Sequence, residues 1–238
     1  MHSRDDLKKT LQLHNLWLLS KGSQGEQADL AAADLSGMNL HRAILDRANL
    51  SGANLSGADL SNAYMYNANL SGADLSSAKL YRVNLADADL SGAKLTDADL
   101  NAALLDAANL KDADLSGADL SGAKLKRAKL IGAKLIGADL TVAILDAADL
   151  TGADLAGADL SSADLDDAYL GDANLTDANL TNAYLRRAEL YSADLTAADL
   201  TGAKLDGAKL DGAIGLKESA TSRKLLEARI RRAIKRNL

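Results

Sequence analysis

The residue types that most often carry out catalysis are either missing from this chain or have no common centre. The 238-residue sequence contains no Cys, which excludes disulfide bonds, thiolate zinc sites, iron–sulfur clusters and a cysteine nucleophile. Its three His residues, His2, His14 and His41, are too few and too scattered for a histidine metal cluster. Asp and Ser are abundant, but a Ser-His-Asp site needs a positioned His and a glycosidase-type carboxylate pair needs a cleft. We therefore predict that the protein is not an enzyme and needs no metal or cofactor.

A five-residue period sets the positions of the Asp and Ser residues. Every fifth residue from Leu30 to Leu210 is Leu, except Met65, and the residue two places before it is almost always Ala. In an α-helix these Leu residues would be displaced by about 140° from one to the next, and in a strand they would alternate between faces. A bend in every unit, at pairs such as Ser51-Gly52, returns each Leu to one interior. The sequence therefore predicts a solenoid of very short strands and turns.

Tandem units of the form Ala-(Asp/Asn)-Leu-x-x, such as the Ala-Asp-Leu at 118–120, continue over residues 28–214 and resemble the pentapeptide repeat family. The resemblance implies an all-β solenoid, a right-handed quadrilateral β-helix with four pentapeptides in each coil. The chain would then form about nine coils and a rod roughly 45 Å long, at about 4.8 Å per coil. Because 47% of the residues are hydrophobic but only 3% are aromatic, with no Phe, we expect a uniform and narrow rod.

The two ends of the chain depart from the repeat and are predicted to be caps. We assign residues 1–27 to an N-terminal helical cap, because apolar residues recur there at helical spacing. Residues 28–215 form the β-helix, and residues 216–238 are assigned to a basic amphipathic capping helix. This last segment carries eight Lys or Arg against two Glu, whereas the whole chain has a net charge of −6. The sequence thus predicts an acidic rod with one basic end.

A 20-residue stacking step, implied by four pentapeptides per coil, aligns two rows of outward side chains. Four carboxylates would stack in an acidic row, either as solvated charges that keep the rod soluble or as a recognition stripe for a basic partner. An apolar contact row on the adjacent face is either ordinary scattered exposure or a packing surface for a partner or a second copy. The acidic row is Asp99, Asp119, Asp139 and Asp159, and the apolar contact row is Ile44, Tyr64, Leu104, Ile144 and Tyr184.

The basic tail offers a third surface. It is either the solvated face of a capping helix or a site for nucleic acid or an anionic membrane. Its candidate residues are Arg229, Arg231, Arg232, Lys235 and Arg236.

Function is expected to lie on these outer surfaces. We predict a non-enzymatic protein-interaction scaffold or regulator, cytoplasmic because neither a secretory signal nor a membrane span is visible. No small-molecule substrate is expected.

One alternative follows from the resemblance, since the family includes DNA-mimicking acidic rods that bind DNA gyrase. A second alternative is binding of nucleic acid or an anionic membrane through the basic tail. The family is abundant in cyanobacteria, so a bacterial and cyanobacterial source is expected.

Overall fold

The computed structural model describes residues 4–216, and the repeat within them winds into a four-sided solenoid. One helix, α1 (Arg4–Leu19), precedes the repeat. Each β element is a single outward residue, and parallel bridges join it to the residue 20 places later, from Asp29↔Asn49 to Asp194↔Ile214. The predicted 20-residue step is therefore confirmed. We call the four sides face 1 (residues 29 to 209 in steps of 20), face 2 (34 to 214), face 3 (39 to 199) and face 4 (44 to 204).

Ala and Leu side chains fill the interior of the solenoid. The central residues from Leu45 to Leu195, including Met65, are at most 1% exposed. The residues two places earlier, from Ala48 to Ala193, are equally buried. A small and a medium side chain from each of four sides fill the interior, which explains how the core forms without Phe. The prediction that Ala and Leu point inward is confirmed.

A unit with Asp or Asn before its central residue satisfies all five of its backbone N–H groups, as the unit that begins at Asp59 shows. The N–H of Asp59 donates to the preceding coil, and those of Leu60 and Asn62 donate to the following coil. The N–H of Ala63 donates to the carbonyl of Leu60 and closes the turn. The remaining N–H, that of Ser61, donates to Oδ1 of Asp59 at 3.0 Å. A side-chain acceptor two residues back therefore completes the backbone bonding of the repeat.

This turn-capping bond explains why Asp or Asn precedes the central Leu. Both side chains present an oxygen that accepts the N–H of the first turn residue, as in an Asx turn. Where that turn residue is Ser, its hydroxyl often donates to the same oxygen, as Ser71 does to Asn69 at 2.7 Å. The capping bond also occurs at Asp34, Asn54, Asn69, Asp89, Asp114 and Asp149.

The second residue of each turn is left-handed. Every fifth residue from Ala32 to Gly212 has a positive φ, which a type II β-turn requires at this position. Gly fills many of these positions without strain, as Gly122 does at φ 64°. Val142, one coil further on, adopts φ 52° although it is β-branched and lies 58% exposed. A β-branched residue in this region is an outlier and stores strain.

Helix α1 covers the first coil. Leu7 is buried in the common core, Leu11 packs against it, and His14 is fully buried. The Nδ1 atom of His14 accepts the backbone N–H of Ala28 at 3.0 Å, which joins the helix to the first coil. Burial lowers the pKa of His14 because it disfavours the charged imidazolium. The ring of Trp17 stacks on His14 with 5.8 Å between ring centroids. His14 therefore has a structural role.

At the C-terminal end of the rod, the structure describes the last coil and ends at Leu216. Leu210 and Ala213 are buried there, and Leu216 packs against the core in part. The predicted basic capping helix at 216–238 lies, apart from Leu216, outside the residues that the structure describes.

The capping bond should be measurable at Asp74, whose Oδ1 accepts the N–H of Ser76 at 3.0 Å. Hydrogen bonds from Ser76 also lower the pKa of Asp74. We expect Asp74→Ala to lower the free energy of unfolding by about 1 kcal/mol, because the turn N–H loses its acceptor. The control Asp74→Asn keeps an acceptor oxygen and should change it by less than about 0.5 kcal/mol. Chemical denaturation measures both, and an equal loss in the two variants would contradict this assignment.

The strain at Val142 leads to a second prediction. Val142→Gly is expected to raise the free energy of unfolding by about 0.5–1 kcal/mol, because relief of left-handed strain exceeds the added entropy of an unfolded Gly. Val142→Ala keeps the Cβ atom and should gain less. Thermal or chemical unfolding of the three proteins measures the order, and a Gly variant less stable than the parent chain would show that Val142 is not strained.

Candidate interaction surfaces

The four predicted carboxylates of the acidic row stand in adjacent coils of face 3. Bridges join Asp99 to Asp119, Asp119 to Asp139, and Asp139 to Asp159. All four are partly buried. Each also caps its own turn. For example, Asp119 accepts the N–H and hydroxyl of Ser121, and Asp139 accepts the N–H of Thr141 at 2.8 Å. The row is therefore a structural feature of the turns as well as a line of charge.

Hydrogen bonds favour the ionised form of two carboxylates on face 3, Asp59 and Asp159. The hydroxyl and N–H of Ser61 lower the pKa of Asp59. At Asp159 burial acts to raise the pKa, but hydrogen bonds from Ser161 and Asn179 outweigh it, so that the pKa is lowered. Asp59 and Asp159 are therefore charged at neutral pH, because hydrogen bonds to the charged form stabilise it.

The five residues of the apolar contact row all point outward from face 4. Tyr64 is 52% exposed and Ile44 is 40% exposed, while Ile144 and Tyr184 are also exposed and Leu104 is partly buried. Asn84, Lys124, Asp164 and Lys204 occupy the alternate coils of the same face. The structure thus brings the predicted residues into one line, with a polar residue between successive apolar ones from Tyr64 onward.

Face 4 compensates for turn caps that its apolar residues cannot supply. Tyr64 has no Asx oxygen for the N–H of Tyr66, and Oδ1 of Asp46 in the preceding coil accepts it at 2.8 Å. In the same way, Oδ1 of Asp106 accepts the backbone N–H of Lys126 at 3.0 Å. Oδ1 of Asp166 accepts the backbone N–H of Arg186 at 2.8 Å. Sequence reasoning missed these three carboxylates. The detectable signal is an Asp 18 positions before an outward residue that is neither Asp nor Asn.

The corner between face 4 and face 1 carries a line of opposite charges, which we call the charged corner. Lys126 pairs with Asp146 at 2.7 Å, and the guanidinium of Arg186 pairs with Asp166 at 2.6 Å. Hydrogen bonds and charge from these carboxylates raise the pKa of both cations. Residues of the charged corner are Asp106, Lys126, Arg127, Asp146, Asp166, Asp167, Arg186 and Arg187.

A groove opens where α1 meets the first coils, at the start of face 4. Its volume is about 900 Å³, and apolar side chains from Leu7, Leu11, Met38, Ala43 and Ile44 line it. Lys8, Gln12, Asn15 and Asn39 add polar groups. Ile44 belongs to both the groove and the apolar contact row, so the two surfaces are continuous. Sequence reasoning did not predict the groove, because it depends on how α1 lies across the coils.

One predicted surface, the basic tail, cannot be placed in the structure. The basic tail residues Arg229, Arg231, Arg232, Lys235 and Arg236 lie outside residues 4–216. Among residues 4–216, no helix is long and apolar enough to cross a membrane, and no three His, Asp or Glu side chains are grouped as metal ligands.

Coils that stack every 20 residues around an Ala and Leu interior define a β-helical repeat protein. The chain belongs to the pentapeptide repeat family, and the structure is the right-handed quadrilateral β-helix of that family. The family model for pentapeptide repeats matches eight copies, at residues 26–62, 68–106, 84–122, 103–141, 123–161, 143–182, 163–202 and 178–214. The predicted family and fold class are confirmed.

Solved structures of this family resemble the chain. HetL, a pentapeptide repeat protein involved in heterocyst differentiation regulation from the cyanobacterium Nostoc sp. strain PCC 7120, is 34% identical with a TM-score of 0.62, covering 86% of this chain and 97% of HetL. A thylakoid lumen protein from Arabidopsis thaliana is 36% identical over 48% of this chain and 73% of its own, with a TM-score of 0.34. The fluoroquinolone resistance protein QnrB1 is 20% identical over 86% of this chain and 98% of its own, with a TM-score of 0.33. A search of curated proteins finds no significant match.

Proposed function

We propose that this protein is a non-enzymatic, cytoplasmic interaction rod that acts as a scaffold or regulator for a protein partner. The observation that carries the proposal is the division of side chains in the repeat. Ala and Leu fill the interior, so the outer faces and the ends are left for recognition. The similarity to HetL, which is involved in heterocyst differentiation regulation, supports a regulatory role.

The N-terminal part of face 4 is the contact surface in this proposal. Ile44, Tyr64 and Tyr66 are exposed there, next to the groove beneath α1. A contiguous apolar surface rimmed by polar groups is typical of protein contacts. The groove contributes amides and a single Lys as its polar groups, which suits an apolar protein segment better than a phosphate backbone.

The contact can be tested with the double variant Ile44→Ser/Tyr64→Ser. Both side chains point outward, so the fold should persist while the apolar contact is lost. We expect the affinity for the partner captured from the source cells to fall at least about tenfold, since exposed aromatic anchors dominate such contacts. Tyr169→Ser is the matched control, because Tyr169 is an exposed Tyr at the equivalent position on face 1.

The readout is quantitative affinity capture followed by direct titration of the identified partner. A partner that binds the double variant as tightly as the parent chain would remove face 4 from the contact. A partner lost equally with Tyr169→Ser would point to a different face.

A second candidate function is a DNA-mimicking modulator of DNA gyrase that binds through the acidic row. The observation that favours it is the stack of Asp99, Asp119, Asp139 and Asp159 in four adjacent coils, about 4.8 Å apart. Such a line of charge offers repeated carboxylates to Arg and Lys side chains of a basic partner. Each turn cap uses one carboxylate oxygen, and the second oxygen remains to accept a partner's hydrogen bond.

Asn can replace Asp in this row without loss of the turn cap, because Asn caps turns elsewhere in the rod. If the second function holds, the parent chain alters gyrase supercoiling at micromolar concentration. Asp119→Asn/Asp139→Asn should weaken the effect at least about tenfold by removing charge alone. Asp154→Asn on face 2 is the matched control. A parent chain without effect on supercoiling, or a double variant as active as the parent, excludes this function.

A further inference from the structure

We propose that two copies of this rod associate side by side and antiparallel through face 4, with the two-fold axis at the row of Ile144. The contact covers the rows from Asn84 to Lys204. It goes beyond the proposed function, since it names a second copy of this chain as the occupant of a different part of face 4.

When a second copy of face 4 is turned end to end against the first, apolar side chains face apolar ones and opposite charges face each other. With Ile144 opposite Ile144 of the partner subunit, Lys124 faces Asp164 of the partner subunit. Leu104 then faces Tyr184 of the partner subunit. A closed two-fold dimer makes each of these contacts twice. Because both rods have the same coil spacing, the match continues from coil to coil instead of drifting out of register.

The charged corner extends the same match. An antiparallel two-fold places this corner against the same corner of the second copy, with Asp106 opposite Arg186 of the partner subunit. Arg127 lies opposite Asp167 of the partner subunit. Within each chain Arg186 is paired with Asp166 and Asp167 with Arg187, so these contacts extend existing ion pairs. Asp146 meets its own copy at the axis, but there it is already paired with Lys126 at 2.7 Å. The opposed charges favour this register and orientation over others.

Lys124 and Arg127, both near the centre of this surface, have no ion-pair partner within residues 4–216. Lys124 stacks between Leu104 and Ile144, and both side chains next to it along the face are apolar. Arg127 occupies a corner position where the adjacent coils carry Ala107 and Ala147. The neighbouring Lys126, by contrast, is paired within the chain. The second-copy carboxylate opposite Lys124 supplies its missing counter-charge. Arg127 meets the Asp167–Arg187 ion pair that each chain forms within itself, so its gain is smaller.

The strained residue Val142 lies at the same place. It occupies the corner between faces 3 and 4, two residues before Ile144, and so it falls on the proposed axis. Its side chain is 58% exposed at φ 52°, a position that Gly122 fills without strain one coil earlier. An exposed apolar side chain held in an unfavourable conformation suits a contact surface. Val142 of both copies would meet beside the paired Ile144 side chains and close the apolar centre.

Two other two-fold arrangements of this face bring like charges together. A parallel dimer places every row against itself, so Lys124 faces Lys124 and Asp164 faces Asp164. An antiparallel dimer centred on Lys124 again sets Lys124 against its own copy. The register centred on Ile144 avoids both contacts. It also leaves Ile44 and Tyr64 of each copy beyond the last described coil of the other.

Charge reversal tests the pairing, with sedimentation velocity from about 1 to 300 µM as the measurement. We expect a dimer for the parent chain and a monomer for Lys124→Glu and for Asp164→Lys, each shifted at least about tenfold in dissociation constant. The repeat tolerates Lys at the position of Asp164, as Lys94 and Lys134 show. An equimolar mixture of the two variants should restore a dimer, because every reversed charge then faces its opposite. Lys129→Glu, on face 1 of the same coil, is the matched control and should dimerise like the parent.

The orientation is tested by a disulfide, since the chain has no Cys of its own. Val142→Cys should crosslink the dimer on mild oxidation, because the axis brings the two copies of that residue together. Ser162→Cys is the control, since its two copies lie about two coils or 10 Å apart, beyond disulfide reach.

The variant Val142→Gly distinguishes loss of the dimer contact from loss of the fold. It should weaken dimerisation by about threefold or more while stabilising the monomer, so loss of fold cannot account for the change. A parent chain that stays monomeric at 300 µM, a Lys124→Glu dimer as tight as the parent, or equal crosslinking of the two Cys variants would each overturn the proposal. None of these results would alter partner capture through Ile44 and Tyr64, which is measured separately.

Discussion

Each pentapeptide must turn a corner and still give every backbone N–H an acceptor. Four of the five groups find carbonyls, either in neighbouring coils or across the turn. The fifth, at the first turn residue, depends in most units on an Asp or Asn side chain two residues earlier, as Ser61 depends on Asp59. This single bond links the acidic composition of the rod to its shape. It also means that the carboxylates on the faces cap turns. A partner can therefore be recognised only by their second oxygen and their negative charge.

The narrow interior directs function outward. With Ala and Leu from four sides filling the tube, differences between coils appear only in outward residues, corners and ends. Recognition therefore has to be composed from rows spaced by one coil. Such rows suit partners with extended surfaces, and a second rod of the same spacing is the surface that matches most simply.

Face 4 is where the chain departs from its own local rules. Apolar residues and Lys replace the Asx caps at several coils, and Asp46, Asp106 and Asp166 of preceding coils take over the turn N–H groups. Val142 keeps a strained left-handed conformation that Gly would relieve. Local inconsistencies that are compensated rather than removed are expected at functional surfaces.

The five-residue period by itself determined the solenoid, the inward Ala and Leu and the outward rows, because neither a helix nor a continuous strand buries a residue every five places. With the family resemblance it also predicted the four-sided coil and the stacking of Asp99 on Asp119, which the bridges confirm. Sequence periodicity did not reveal that Asp46 caps a turn 20 residues away, although the 18-residue spacing is visible once the coil is known, and it could not show that α1 and Ile44 enclose a groove. Those relations exist only once the coil has closed, because closure brings together groups that are distant in sequence and sets the direction of each N–H. Only the tertiary structure could therefore decide which carboxylates hold turns together, where the rod is strained, and which charges on face 4 lack a partner.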